Sequence, residues 1–501
     1  MPSLSMYDTI ILGAGWAGAV AAKQLSHQGY SVLVLEARDR IGGRARTWVG
    51  KKGDVKVDLG CSWIHGYNEG NPARKIASEF GVTAHLPKPA EGVIYGPDGP
   101  LSSEHTSSLR ASLSSAQASF KTPYPSPPPS ASLASALFSP SSPLYSATSN
   151  PAPSTDLTST SPANPQEPTE EPSTTSPDKP LVSALARTLE IPLGVRLEDA
   201  SLRWSGWESD SNFAGSDAAP EGGYEALVAQ VLRASKAEVK LSTQVVAVTQ
   251  LESSVVQVTT AGGEKYTAKT VISTIPLGVL KTLPEGFFTP SLPPKMIESI
   301  KGTHVGTLEK LLLRYETAWW PNATSVGSYT FLPTLSTSPN ANSTPLEIFQ
   351  STTLVCANFA APSLPGPSPT LLTYLSPTPA ELLLKFPAKE VVQAYHDFLV
   401  QRFGSDAKPA LPVEYELTDW LTDEFSRGAT TTPSIVSEKG ERSPMDFKEL
   451  GKPVWGGKLG FAGEHTDMDH RGSVAGAVVS GQREAERIAR LLAKAAAVAA
   501  A

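Results

Sequence analysis

A chain of 501 residues with 40% hydrophobic residues and a mean hydropathy of −0.14 is long enough for two or three domains with sizeable cores. Its net charge of −7 argues against nonspecific nucleic-acid binding; it is compatible with a cationic small molecule, but plain solubility is the better default reading. Only two cysteines, Cys61 and Cys356, are present, which excludes a disulfide framework and a cysteine metal centre, and no apolar run approaches the roughly 20 residues of a membrane span.

The first elements organise the rest. Residues 9–12 form a short apolar, β-branched run, followed by Gly13-Ala-Gly15-Trp-Ala-Gly18, a helix over 19–27 and a second strand over 31–35. Gly13 permits a sharp turn, Gly15 lets a pyrophosphate approach the backbone, and Gly18 lets helix and strand pack closely. The helix N-terminus offers free N–H groups to phosphate. Glu36 ends the second strand 18 positions after Gly18, where a carboxylate accepts from both ribose hydroxyls. This much specifies a dinucleotide-binding α/β unit and fits an NAD-dependent dehydrogenase as well as a flavoprotein. Next comes Arg38-Asp-Arg-Ile-Gly42-Gly43-Arg44. It reads as a second cofactor contact or as a basic surface turn, and the paired glycines, which permit close backbone approach, favour contact. Residues 57–66 then form a short strand ending in glycines, with Trp63, Ile64 and His65 between them.

Taken together, the glycine turn, Glu36-Ala-Arg38, Ile-Gly-Gly43-Arg44 and Gly60-x-x-Trp63-Ile64-His65-Gly66 resemble the flavin-containing amine oxidase family, close to its polyamine oxidases. The resemblance implies FAD, a small-molecule amine substrate and O2. It also implies an α/β fold in which a discontinuous Rossmann-type FAD-binding domain (5–95, 220–285 and 445–495) sits beside an α+β substrate-binding domain (96–120, 181–219 and 286–444). Residues 121–180 are rich in Ser and Pro and read as a disordered insertion, either a loose loop or a polyproline ligand for weak partner binding. Around it, helices are expected over 107–120, 182–189 and 225–235. Strands are expected over 239–248, 255–260 and 270–274, and a loop followed by a strand over 340–353. A strand over 371–375, a helix over 380–403 and a final helix over 474–496 complete the reading.

Lys310 lies among leucines. It is either an edge-strand lysine reaching solvent or a buried lysine with a purpose. The resemblance assigns it a water-bridged contact to flavin N5. By the same resemblance Val245 holds the adenine through its backbone, and Trp63, Ile64 and Trp420 lie by the flavin. Phe461-Ala-Gly463-Glu464 matches the family's C-terminal flavin motif, and the helix starting at Val474 directs its dipole at the ring. His65 is either structural or a hydrogen-bond partner for a substrate nitrogen. Trp204, Tyr374 and Ser473, with Trp207 and Glu208, are candidates for the substrate wall, where aromatic rings suit a cation. Ser473 stands where many relatives place an aromatic. No cysteine lies between 463 and 476, so FAD is expected to be non-covalent, and no metal site is expected. Without a leader, a membrane tail or a peroxisomal tripeptide, a cytoplasmic location is expected. Two other readings stay open: an L-amino-acid oxidase of the same fold, which needs an arginine clamp for the substrate carboxylate, and a non-catalytic flavoprotein scaffold.

Overall fold

Met6–Leu12, Val32–Leu35 and Lys265–Ser273 each end in four successive buried residues, the pattern of strands covered on both faces. In the computed structural model they form the centre of a sheet. Glu238–Lys240, Val32–Leu35, Met6–Leu12, Lys265–Ser273 and Leu459–Phe461 run parallel in that order. Val256–Thr260 and Val245–Gln250 extend the sheet as an antiparallel meander. The structure describes residues 6–86, 91–120, 126–146, 178–207, 213–252, 255–362, 366–404, 409–432 and 442–500. The helices Trp16–His27, Tyr224–Ser235 and Val474–Ala500 cover one face, burying Ala17, Ala21, Leu25, Val228, Val478 and Ile488 against Ile11 and Val34. Gly18 makes that packing possible, since a Cβ there would lie 2.0 Å from the Gly13 carbonyl oxygen.

A second sheet has the order Glu414–Leu417, Glu309–Arg314, Thr370–Leu375, Leu354–Asn358, Val326–Phe331, Glu91–Gly96 and Gly99–Pro100. Helices Pro345–Ser351 and Ala388–Phe403 back one face through Ile348, Phe349, Tyr395 and Phe398. On the opposite face Leu312 and Leu372 meet Val57 and Leu59 of the segment that follows the first two parallel strands.

The structure departs from the sequence reading in several places. Residues 126–146 are not disordered. Leu133–Leu137 is a helix capped by Ser132, Pro143–Tyr145 is a 3-10 turn, and Leu133, Leu137 and Leu144 are buried against Leu109, Val182 and Leu185. A few well-spaced leucines suffice to anchor a segment whose average composition reads as loop. Residues 178–180 are ordered as well, Asp178 capping the helix Lys179–Ala186, and the rest of the expected insertion, 121–125 and 147–177, lies outside the described residues. Glu91–Gly96 pairs with Val326–Phe331, so the first unit ends before 91 rather than at 95. The expected strand over 239–248 is two strands at different places in one sheet. The expected loop over 340–353 contains a helix with a proline at its start and a Thr344–Glu347 capping box. The expected helix over 380–403 breaks before Pro387, because proline does not continue a helix from the preceding turn. The first helix starts at Trp16, three residues earlier than expected.

Candidate active site

The parallel strands end at a cavity of about 470 Å³ that runs from Glu36 and Val245 to Lys310 and Tyr374. Residues just past the strand ends, Gly13, Glu36, Thr274 and Gly463, line it, where ligands of open α/β sheets bind. Gly13 takes φ +106°, which turns the chain into a helix whose first turn carries neither a side-chain cap nor an acid. Gly15 forms a bridge with Gly42, which stacks the two glycine segments. Glu36 is buried: its Oε2 accepts from the Ala14 amide at 2.7 Å and its Oε1 from the Arg38 amide at 2.9 Å. Uncapped helix amides with no competing acid, glycines that keep the backbone bare, and a carboxylate at the second strand end form the donor and acceptor set of a dinucleotide cradle. These residues fit FAD.

The arginines are held differently from a simple phosphate contact. Arg38 grips Asp423 with two hydrogen bonds of 2.7 and 2.6 Å, donates to Ser426 Oγ, and lies 5.4 Å from the Phe425 ring centre. Arg44 pairs with Glu464 at 2.9 Å and donates to the Ala429 carbonyl. Glu464 also accepts from Thr431 Oγ at 2.6 Å and the Gly472 amide at 2.8 Å. Burial works to raise its pKa, but Arg44 and the Thr431 hydroxyl hold it below the ordinary carboxylate value. Burial takes the neighbouring His465 down to about 4, which leaves that imidazole neutral.

Lys310 sits in an interior strand, paired on both sides, so it is not an edge lysine reaching solvent. Its Nζ donates to the carbonyl oxygens of Asp58 (3.0 Å) and Gly60 (2.6 Å) and to Ser62 Oγ (2.7 Å), and it lies 5.5 Å from the Tyr374 ring centre. Three acceptors occupy the three hydrogens of the ammonium, so a water contact requires one of them to be shared. Burial lowers the Lys310 pKa to about 8 against the opposing charge of Asp58. Burial raises Asp58 to about 6, opposed by Thr47, Lys310 and the Tyr224 amide.

Trp63, Trp420, Gly43, Ser473 and Val474 also line the cavity. Trp420 donates its Nε1 to the Leu59 carbonyl at 3.4 Å. Ser473 Oγ accepts from the Gly476 amide and donates to the His470 carbonyl, so it caps the last helix. His65 lines the mouth with a side chain 68% exposed, and its Nδ1 is 2.8 Å from Asp217. Four expected contacts are corrected. Neither Trp204 nor Trp207 lines the cavity: the Trp204 Nε1 donates to the Arg442 carbonyl and the two indoles pack edge-on. Ile64 points into the helix-side core while its backbone pairs with Ala218. Gly18 acts through helix packing and does not line the cavity. Glu208 lies outside the described residues.

Sequence reasoning missed Glu309, which is fully buried beside Lys310 and accepts from Thr418 Oγ and the amides of Trp420 and Leu421. Burial pushes its carboxyl up to about 7. The signal was an acid opening the buried run Glu309-Lys-Leu-Leu-Leu313. Among the described residues no His, Cys, Asp and Glu cluster is placed to hold a metal. Nor is any helix among them long and apolar enough to cross a membrane.

A family model described as flavin containing amine oxidoreductase matches residues 16–489. The chain is 26% identical over 511 residues to "Probable polyamine oxidase 4" of Arabidopsis thaliana, with 97% of this chain and 87% of the relative covered. It is 25% identical over 510 residues to "Polyamine oxidase 3" of Oryza sativa subsp. japonica, covering 96% and 88%. A match to "Lysine-specific histone demethylase 1 homolog 3" of Arabidopsis thaliana, 28% over 523 residues, covers 96% of this chain but 30% of that protein.

Proposed function

The chain belongs to the flavin-containing amine oxidoreductase family, with FAD as its cofactor, and from that premise we propose that it oxidises amines, polyamines foremost. The observation that carries this reading is the continuity of one cavity from the Glu36 cradle to Lys310 and Tyr374. In this reading the parallel sheet with its covering helices is a Rossmann-type FAD-binding domain, assembled from distant segments of the chain, and the second sheet belongs to the substrate domain.

Bound FAD supplies the acceptor for a hydride from the C–H beside a neutral amine nitrogen, and O2 takes up the two electrons as hydrogen peroxide. The substrate imine adds water and splits into an aldehyde and a shorter amine. The protein's part is positioning and exclusion of bulk water. Trp63, Tyr374 and Trp420 provide aromatic walls for a substrate that arrives as a cation. Lys310 holds a dense set of acceptors, Asp58 and Gly60 carbonyls and Ser62 Oγ, at the reacting end. With a pKa near 8, it donates or takes up a proton close to neutral pH. His65, oriented by Asp217 at the mouth, engages a substrate nitrogen.

FAD is held without a covalent bond in this reading. Cys61 lines the cavity, but burial raises its thiol pKa far above the range where it acts as a nucleophile. Among the described residues no unengaged arginine stands at the Lys310 end of the cavity to serve the amino-acid oxidase alternative as a carboxylate clamp. The two arginines lining the cavity, Arg38 and Arg44, are engaged by Asp423 and Glu464 and lie towards the nucleotide cradle. The purified protein is expected to be yellow, to release FAD on acid denaturation, and to bleach anaerobically with spermine or spermidine. Bleaching by amino acids alone, or failure to take up FAD, overturns the proposal.

A further inference from the structure

We propose that Glu309, which has no contact with the cavity, is a positioning residue that holds Lys310 and Trp420 in one arrangement for the oxidation. The inference rests on the amine oxidase reading of the cavity.

Glu309 is fully buried, and among the described residues no cation pairs with it. A strand that needed only packing would carry an apolar residue there, as it does at Leu311, Leu312 and Leu313. An uncompensated buried carboxylate persists only when donors are aimed at it. Three are: Thr418 Oγ at 2.5 Å, the Trp420 amide at 3.0 Å and the Leu421 amide at 2.8 Å. They come from one turn, so the carboxylate fixes the shape of the segment that carries Trp420.

The same turn holds Lys310 through its backbone. Thr418 Oγ accepts from the Lys310 amide at 2.7 Å, and the Thr418 amide donates to the Lys310 carbonyl at 2.9 Å. The circuit closes on the far side. Trp420 Nε1 donates to the Leu59 carbonyl, and the next carbonyl, that of Gly60, accepts from Lys310 Nζ. A change at Glu309 therefore moves the indole and the acceptors of Lys310 together, although the carboxylate touches neither ligand nor solvent.

The test uses FAD-loaded Glu309→Gln, Trp420→Phe and the double variant. Glutamine keeps the size but turns a donating NH2 towards N–H and O–H donors. Glu309→Gln is expected to shift the visible spectrum of bound flavin, to weaken FAD binding by apoprotein, and to slow anaerobic reduction by spermine about tenfold with KM little changed. In the double variant the losses are expected to be well short of additive, because both changes act through one indole. A spectrum and FAD affinity identical to the parent protein, or full additivity, overturns the proposal. If Glu309→Gln does not fold, Thr418→Val and Thr418→Ser carry the test: valine must reproduce the spectral shift and serine must not. If no amine reduces the parent protein, the amine oxidase reading fails, whereas the flavin spectrum and FAD affinity still decide the role of Glu309.

Discussion

Replacing Lys310 with methionine tests how the buried ammonium is held. In the folded chain Lys310 titrates near 8, against 10.5 for a free lysine. Below pH 8 both folded and unfolded chains hold the proton, and the folded state carries the cost of burying the charge. Between 8 and 10.5 the unfolded chain binds more protons than the folded one, so this group's contribution to stability rises with pH. The window spans 10.5 − 8, about 2.5 pH units, which corresponds to about 3 kcal/mol. Asp58 acts in a separate window. Its folded pKa is raised from 3.8 to about 6, so its contribution is present at low pH, is lost as pH rises through that range, and is flat above it. Urea unfolding of parent and Lys310→Met proteins, with equal excess FAD, gives the difference in stability at each pH. That difference is expected to be level near neutrality and then to climb in favour of the parent by about 3 kcal/mol from pH 8 to 10.5. A flat difference refutes the buried-ammonium account. The variant is also expected to keep FAD while turnover falls at least about tenfold.

Three further outcomes follow from the geometry. Asp423→Asn leaves the part-buried Arg38 guanidinium without its two-pronged carboxylate, so FAD is expected to dissociate about tenfold faster in a flavin-fluorescence assay; an unchanged rate means the pair does not secure the cofactor. Gly18→Ala places a Cβ 2.0 Å from the Gly13 carbonyl oxygen, so the glycine turn must open and FAD affinity must fall; a variant that binds FAD normally contradicts the packing seen here. Leu137→Ala is expected to cost about 2–5 kcal/mol in denaturant unfolding, because Leu137 is fully buried in the cluster around Leu109 and Val182; an effect near zero would restore the view of 126–146 as a loose loop.

What the sequence showed best was chemistry confined to neighbours in the chain. The glycine turn is legible because each glycine answers a local constraint, and Glu36 follows from the length of one helix and one strand. Lys310 was legible as a buried lysine but not as a saturated one, because its three acceptors lie about 250 positions away on the Asp58–Ser62 segment. The partners of the cavity-lining arginines were hidden for the same reason. Arg38 and Arg44 look like phosphate ligands beside a glycine loop, yet their partners stand 385 and 420 positions on, at Asp423 and Glu464. Trp204 was misplaced because an aromatic run carries no signal of which wall it faces. The segment 126–146 was misplaced because window composition hides three leucines that matter only once Leu109 and Val182 are beside them.

These long-range pairs have a consequence for assembly of the site. Arg38–Asp423 ties the first parallel strands to the turn that follows the second sheet's edge strand, and Arg44–Glu464 ties the same region to the C-terminal strand. Lys310 reaches from the second sheet to the carbonyls of Asp58 and Gly60, and the Asp58 carboxylate accepts from the Tyr224 amide of the first unit's helix. Two of these ties, Arg38–Asp423 and Lys310 to 58–60, join the second sheet and its following turn to the first unit, whereas Arg44–Glu464 closes the first unit on itself. The cavity is lined by both units, the Glu36 end by the first sheet and the Lys310–Tyr374 end by the second, so a cofactor spanning it, as proposed above, favours the docked arrangement. By linkage, FAD then stabilises the whole arrangement by mass action, and variants that weaken any one tie lower cofactor affinity before they disturb either sheet.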